Sequence, residues 1–229
     1  RIITMSDRTD LQHRFTNIRE LLESLDCDAW MLYDFRGSNA IAQKVCGVDP
    51  QAHCTRKWAV IVPRHGEVVK IVSAIEAHTL EHIPAREIRY ADLTQWREAV
   101  TTSLHGCKNV AMEYSPNAAL PIVSKVDAGT IEWVRSLGIH VVSSADIAQH
   151  LQAVWTSEQR EDNLRTASLV REAMMDAMSF LSEKIRQKQF VTEYDVQQHI
   201  VRFFDQHQLV YDHDPIVAIA PNAANPHYA

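Results

Sequence analysis

The sequence predicts an α/β domain of mixed sheet and helices over residues 1–154, followed by an incomplete α+β unit over residues 155–229. Three observations lead there. Short apolar runs at 87–90, 110–113 and 139–142 alternate with helical stretches around 94–104, 120–137 and 145–154, the pattern of a largely parallel sheet covered by helices. Trp58–Pro63 and Val68–Val72 flank Arg64-His65-Gly66-Glu67, a connection of hairpin length that adds an antiparallel edge. Near Trp155 the alternation gives way to long helical periodicities.

In chain order, Leu11, Phe15, Ile18, Leu22 and Leu25 recur at helical spacing and define an amphipathic first helix. Ala29-Trp30-Met31-Leu32-Tyr33 then reads as a buried strand, followed by a loop over 34–39 that contains Arg36-Gly37. The alternating elements follow up to residue 154. Thr156-Ser157-Glu158-Gln159 has capping-box form, in which a threonine hydroxyl and a glutamine side chain satisfy each other's orphan backbone N–H groups. Leu164, Ala167, Val170, Met174, Met178, Leu181 and Ile185 then step by three or four and predict a long helix with that inner face. Thr192-Glu193-Tyr194-Asp195 caps a second helix, with Val196, Ile200, Phe203 and Phe204 inward, and Ile216–Ala220 reads as a strand. Two helices and one strand cannot bury these faces among themselves, so the last unit is expected to continue past Ala229.

Composition narrows the function classes. A formal charge of −6 without clustered Lys and Arg excludes an electrostatic nucleic-acid binder and favours small-molecule or peptide partners. Cys27, Cys46, Cys54 and Cys107 lack Cys-x-x-Cys spacing and read as reduced thiols. No run approaches the roughly 20 apolar residues of a membrane span, and the first five residues are too short an apolar stretch for a signal peptide. A cytoplasmic protein without membrane attachment is expected, with Met5 a candidate native start.

Several stretches carry side chains suited to chemistry. His78-Thr79-Leu80-Glu81-His82 matches the H-x-x-E-H zinc pattern, but Pro84 ends any helix at once, and in a chain with 12 histidines an exposed helix with solvated histidines is the favoured reading. Asp212-His213-Asp214 offers adjacent ligands that point to opposite sides of an extended segment, so it reads as a solvated turn. Met174, Met175 and Met178 read as core filler. The Arg36-Gly37 loop follows a strand end, where functional residues often lie, yet nothing in it identifies a ligand. His227 differs: Pro221 and Pro226 restrict the backbone around its turn, which suits a group that donates a hydrogen bond to a substrate or a developing oxyanion. Its plainer reading is a histidine that closes a turn.

Three segments in order carry a family resemblance. Thr156–Ala167 resembles an opening helix, Phe190-Val191-Thr192-Glu193-Tyr194-Asp195-Val196 is similar to a Gly-x-Thr-Glu-x-x-Val helix start, and Pro215–Tyr228 resembles the Ile-Val-x-x-Gly-x-Asn-Ala-Ala-x-Pro-His-Tyr motif of the creatinase/aminopeptidase P/prolidase family. These are the metallopeptidases of the pita-bread fold. Asp28–Gly37 stands where that family's N-terminal creatinase-like domain has its early strand and loop, so the resemblance covers nearly the whole chain.

The resemblance implies an Xaa-Pro aminopeptidase or dipeptidase with a proline-containing peptide or dipeptide as substrate. It implies two divalent ions, manganese first, with zinc or cobalt as alternatives, that hold a bridging hydroxide, and a homodimer formed through the N-terminal domain. It places the ligands, two Asp, one His and two Glu, downstream of the Pro-His-Tyr motif. None of them falls in this chain, which alone is expected to be inactive. His227 matches the family's substrate-side histidine. Ala220 and Gln189-Phe190 depart from the pattern, each standing where glycine is usual. A creatinase-type amidinohydrolase and a non-catalytic dimerisation or partner-binding relative stay open alternatives at this point.

Overall fold

A computed structural model describes residues 5–228, with side chains over 11–228. The chain divides into two compact units, Arg1–Val154 and Trp155–Ala229. No helix among the described residues is long and apolar enough to cross a membrane.

The first unit runs α1 (Met5–Ser24), β1 (Ala29–Phe35), α2 (Ala40–Cys46), β2 (Lys57–Pro63), β3 (Val69–Ser73), β4 (Arg86–Tyr90), α3 (Leu93–Ser103), β5 (Asn109–Met112), α4 (Ala128–Ser136), β6 (His140–Ser143) and α5 (Ala145–Ala153). Its six strands form one sheet in the order β4-β3-β2-β1-β5-β6. β4 with β3, β1 with β5 and β5 with β6 are parallel, whereas β2 runs antiparallel to both neighbours. The sheet is therefore mixed, but the expected antiparallel edge is corrected: the reversed strand lies inside the sheet and both edges pair in parallel. The short β2–β3 connection forces antiparallel pairing, because a parallel return needs a crossover of a dozen or more residues. β2 pairs on its other side with the whole of β1, from Ala29 opposite Pro63 to Phe35 opposite Lys57.

Both sheet faces are covered. Trp30 and Leu32 of β1 pack with Ile18 and Leu22 of α1 and with Val45 and Cys46 of α2. Met31 and Tyr33 enter the opposite cluster, with Trp96 and Val100 of α3 and Ile131 and Val134 of α4. Successive side chains of a strand point to opposite faces, so an unbroken apolar run is what a strand buried on both sides requires. Leu11, Phe15, Ile18 and Leu22 are buried as the spacing predicts, while Leu25 lies past the helix end and is exposed. Two boundaries move. The expected helix over 120–137 is cut to α4, because Pro121 opens a separate 3-10 turn and Asp127 caps α4 by accepting from the Thr130 N–H. The expected loop over 34–39 loses its first residues to β1 and is followed by α2, whose N-cap is Asn39.

A polar cluster lies inside this apolar unit where the parallel strands β1 and β5 end. Glu113, fully buried, accepts hydrogen bonds from the Trp30 indole N–H (2.6 Å), the Asn39 amide (2.6 Å) and the Ser144 hydroxyl (3.0 Å). Asn39 also donates to the Tyr33 carbonyl and accepts from the Ala42 N–H, which joins β1, α2 and β5 through one side chain. Burial pushes the Glu113 carboxyl up to about 7, against the pull of its three donors. The loop after β1 turns on Asp34, which accepts from the Gly37 and Asn39 N–H groups; Gly37 supplies φ +76°, a left-handed conformation that glycine adopts without steric cost.

The second unit consists of α6 (Ser157–Arg186), α7 (Glu193–Gln206) and an extended C-terminal segment with a 3-10 turn at Asn222–Ala224. Both helices open on capping boxes. The Thr156 hydroxyl accepts from the Gln159 N–H (3.2 Å) while the Gln159 side chain accepts from the Thr156 N–H (2.9 Å), and Thr192 and Asp195 repeat the arrangement. Thr156→Ala is expected to lower the stability of this unit by about 1 kcal/mol in urea denaturation, and an unchanged midpoint would contradict the cap's contribution.

Two expectations for this unit are corrected. Met174, Met175 and Met178 are not core filler, since each is 56% exposed, and Leu164, Val170 and Ile185 are exposed as well. The buried positions of α6 are Ala173 and Ala177, whose short side chains allow close approach of a neighbouring helix, and Val196 is the buried residue of α7. The apolar stripe is wider than the packed one. Nor is Ile216–Ala220 a strand: it has no ladder partner among the described residues, and Ile216 and Ile219 are exposed. Its hydrogen bonds go instead to α7.

Candidate functional site

The site forms where α7 meets the segment 215–228. Glu193 and Gln197 lie one helical turn apart on one face of α7, so both reach the same neighbour. Gln197 Nε2 donates to the Pro215 carbonyl (3.0 Å) and Glu193 Oε1 accepts from the Ile219 N–H (2.6 Å). The segment therefore runs along α7 in the opposite direction. Past Ile219 the chain turns at the cis Ala220–Pro221 bond and the 3-10 turn, and then returns to the same carboxylate. The Asn222 amide donates to Glu193 at 2.9 and 3.2 Å, and the Tyr228 hydroxyl donates to Oε2 at 2.8 Å.

One carboxylate thus holds the entry, the middle and the end of the loop. The Ile219 N–H, then the Tyr228 hydroxyl and the Asn222 amide, hold Glu193 below its ordinary carboxyl value; the same carboxylate raises Tyr228. Glu193 is the first residue of α7, where the helix dipole also favours its negative charge. Inside the loop the His227 N–H donates to Asn225 Oδ1 at 3.0 Å. The His227 side chain is exposed, and neither ring nitrogen is hydrogen-bonded among the described residues. The arrangement presents an imidazole on a braced loop, free to donate or accept.

The other sequence-derived candidates do not converge on this place. His78 lies in a 3-10 turn, Ala77–Leu80, that Glu81 ends as C-cap, and not on an α-helix, so the one-turn spacing that brings two histidines to one ion is absent. His82 is not a solvated histidine: it is half-buried, with Nε2 hydrogen-bonded to the Cys46 carbonyl at 2.7 Å. Asp212, His213 and Asp214 are exposed in a bend. The four cysteines are free thiols, and burial raises Cys46 most, away from thiolate chemistry. Among the described residues no group of three His, Cys, Asp or Glu is placed to hold a metal ion, so they do not fit the two-metal ligand set. Ala220 has no positive φ, so no left-handed backbone there demands the usual glycine. Gln189 accepts from Lys184 and Phe190 is 91% exposed, so that departure touches only the approach to α7.

Sequence reasoning read Thr192-Glu193 as a helix start and passed over Glu193. The available signal was an acid at the first helical position that the cap does not use, since Asp195, not Glu193, closes the capping box.

The family model "Metallopeptidase family M24" matches residues 162–229, which include α7 and the whole of this loop. Residues 162–229 resemble metallopeptidase family M24. A recombinant prolidase from Thermococcus sibiricus, a solved structure, aligns to this chain with a TM-score of 0.56 at 13% identity, over 96% of this chain and 56% of that one. At that identity the likeness is one of fold. A prolidase from Pyrococcus horikoshii OT3 aligns with a TM-score of 0.46 at 13% identity, over 85% of this chain and 49% of that one. A proline dipeptidase from Streptococcus pneumoniae tigr4 aligns with a TM-score of 0.48 at 16% identity, over 62% of this chain and 98% of that one. The chain spans about half the length of the two prolidases, 49% and 56%. No curated protein sequence matches it.

Proposed function

We propose that this chain supplies a creatinase-like N-terminal domain, residues 1–154, and the opening of a pita-bread catalytic domain, residues 155–229, to an Xaa-Pro metallopeptidase of the aminopeptidase P or prolidase type. The observation that carries the reading is His227: an exposed imidazole on a loop braced by α7, within the segment that matches the M24 model. In this reading His227 donates to the substrate beside the scissile carbonyl and stabilises the negative charge that develops on its oxygen. The braced loop forms the substrate-side wall. The two divalent ions, manganese first, would supply the activated water, and their ligands are the two Asp, one His and two Glu that the family resemblance puts after the Pro-His-Tyr motif. The N-terminal domain serves homodimer formation.

The test compares the 229-residue chain with the protein that continues through those ligands, each assayed with Mn²⁺ on an Xaa-Pro peptide. The longer protein is expected to release the residue before proline and to lose that activity with a chelator, while the 229-residue chain turns nothing over. Absence of turnover by the longer protein, or clear turnover by the 229-residue chain, would overturn the assignment.

A further inference from the structure

We infer that Glu193 is a positioning residue: its carboxylate, bound to the Ile219 N–H, the Asn222 amide and the Tyr228 hydroxyl, sets the direction in which His227 points. The inference rests on the proposed role of His227 and extends it to a residue that touches no substrate. Three features support it. The contacts fall on both sides of His227 in sequence, at 219 and 222 before it and at 228 after it, so the loop is closed at its ends by a single group. Glu193 is fixed in turn by its place at the start of α7, directly after the Thr192 cap. Apart from these bonds the loop has few restraints: residues 223–227 are exposed, and the internal bonds Ala223 N–H to Ile219 O, Asn225 N–H to Asn222 O and Tyr228 N–H to Asn225 O shape the turn without attaching it to a helix.

A loop held only by its own turns retains local shape but not orientation, and misplacing a catalytic group by about 1 Å is enough to cost about 100-fold in rate. Removing the carboxylate should therefore act on turnover more than on substrate binding. Glu193→Gln keeps an acceptor for the Ile219 N–H, and Tyr228 can donate to or accept from the new amide, so it should recover much of what Glu193→Ala loses.

The experiment has two readouts. In the 229-residue chain, hydrogen exchange of the Ile219 amide and the ¹⁵N signals of the His227 ring report the loop without any need for activity. In the longer enzyme, kcat and KM are measured on an Xaa-Pro peptide. For Glu193→Ala, Ile219 exchange is expected to speed up about 10-fold or more, the His227 signals to shift, and kcat to fall by about 10- to 100-fold with KM within about threefold of the parent. Glu193→Gln should restore kcat to within about fivefold. Should Glu193→Ala lose helical signal, the double variant Asn222→Ala, Tyr228→Phe removes the Asn222 and Tyr228 contacts from the loop side while the Ile219 N–H stays bonded, and the shift of the His227 signals and the fall in kcat are expected with both helices intact. Unchanged Ile219 exchange and unchanged kcat in a folded variant would overturn the inference, as would a fall in kcat with the loop signals unmoved. An inactive parent enzyme whose loop signals still respond to Glu193→Ala sinks the peptidase reading and with it the catalytic part of this inference, but leaves the clamp standing.

Discussion

Glu113→Ala is expected to destabilise the N-terminal unit by about 3 kcal/mol near pH 5, and by much less near pH 8. The loss at low pH comes from a cavity and from polar groups left without their acceptor: the Trp30 indole N–H has no other bond among the described residues, while the Asn39 amide keeps the Tyr33 carbonyl and the Ser144 hydroxyl can rotate. The pH dependence follows from the raised carboxyl. Its folded value, about 7, lies above its ordinary 4.5, so the folded state holds the proton more tightly than the unfolded state. The corresponding stability is fully present below about pH 4.5 and is lost as pH rises through 7, a change of about 3 kcal/mol across that window. Alanine has nothing to ionise, so the gap between parent and variant should close as pH rises. Urea denaturation followed by tryptophan fluorescence at both pH values gives the comparison. A gap that stays constant would mean that Glu113 is an ordinary ionised carboxylate in the fold.

The second large effect concerns turnover. His227→Ala in the longer enzyme should lower kcat by about 100- to 1,000-fold, the loss typical when one donor to a developing oxyanion is removed. KM should change little if the contact strengthens toward the transition state. The exposed ring carries no packing, so the thermal midpoint should stay with that of the parent. A kcat within threefold of the parent would return His227 to a residue that only closes its turn.

Much of this molecule is legible in its sequence, for identifiable reasons. The run Ala29–Tyr33 announces a strand buried on both faces because no surface strand tolerates five apolar residues in succession. The capping boxes at Thr156 and Thr192 are local, side chain to neighbouring backbone, and both form as the residues suggest. What is not local was misjudged. The interior place of β2 depends on β1 and β5 pairing across the sheet, information that no short window of sequence holds. The packed stripe of α6 is Ala173 and Ala177, because α7 selects the face it can approach closely, and periodicity alone assigned that role to the methionines. Ile216–Ala220 has strand composition but docks on α7, where Gln197 and Glu193 take its hydrogen bonds. For His227 the sequence offers two flanking prolines as the placing device, and the structure shows an exposed imidazole on the loop they flank. The structure adds Glu193, whose bond from the Tyr228 hydroxyl spans 35 residues of sequence and forms only in the folded chain.

One measurement bears most directly on the view that this chain builds the substrate wall of an Xaa-Pro peptidase. It is the ratio of kcat/KM for a peptide with proline in the second position to that for the same peptide with alanine there, determined with Mn²⁺ on the longer enzyme. A ratio of about 100 or more, with kcat/KM for both peptides falling together in His227→Ala, is the expected result. Equal hydrolysis of the two peptides by the parent, or a kcat/KM untouched by the loss of His227, would contradict it.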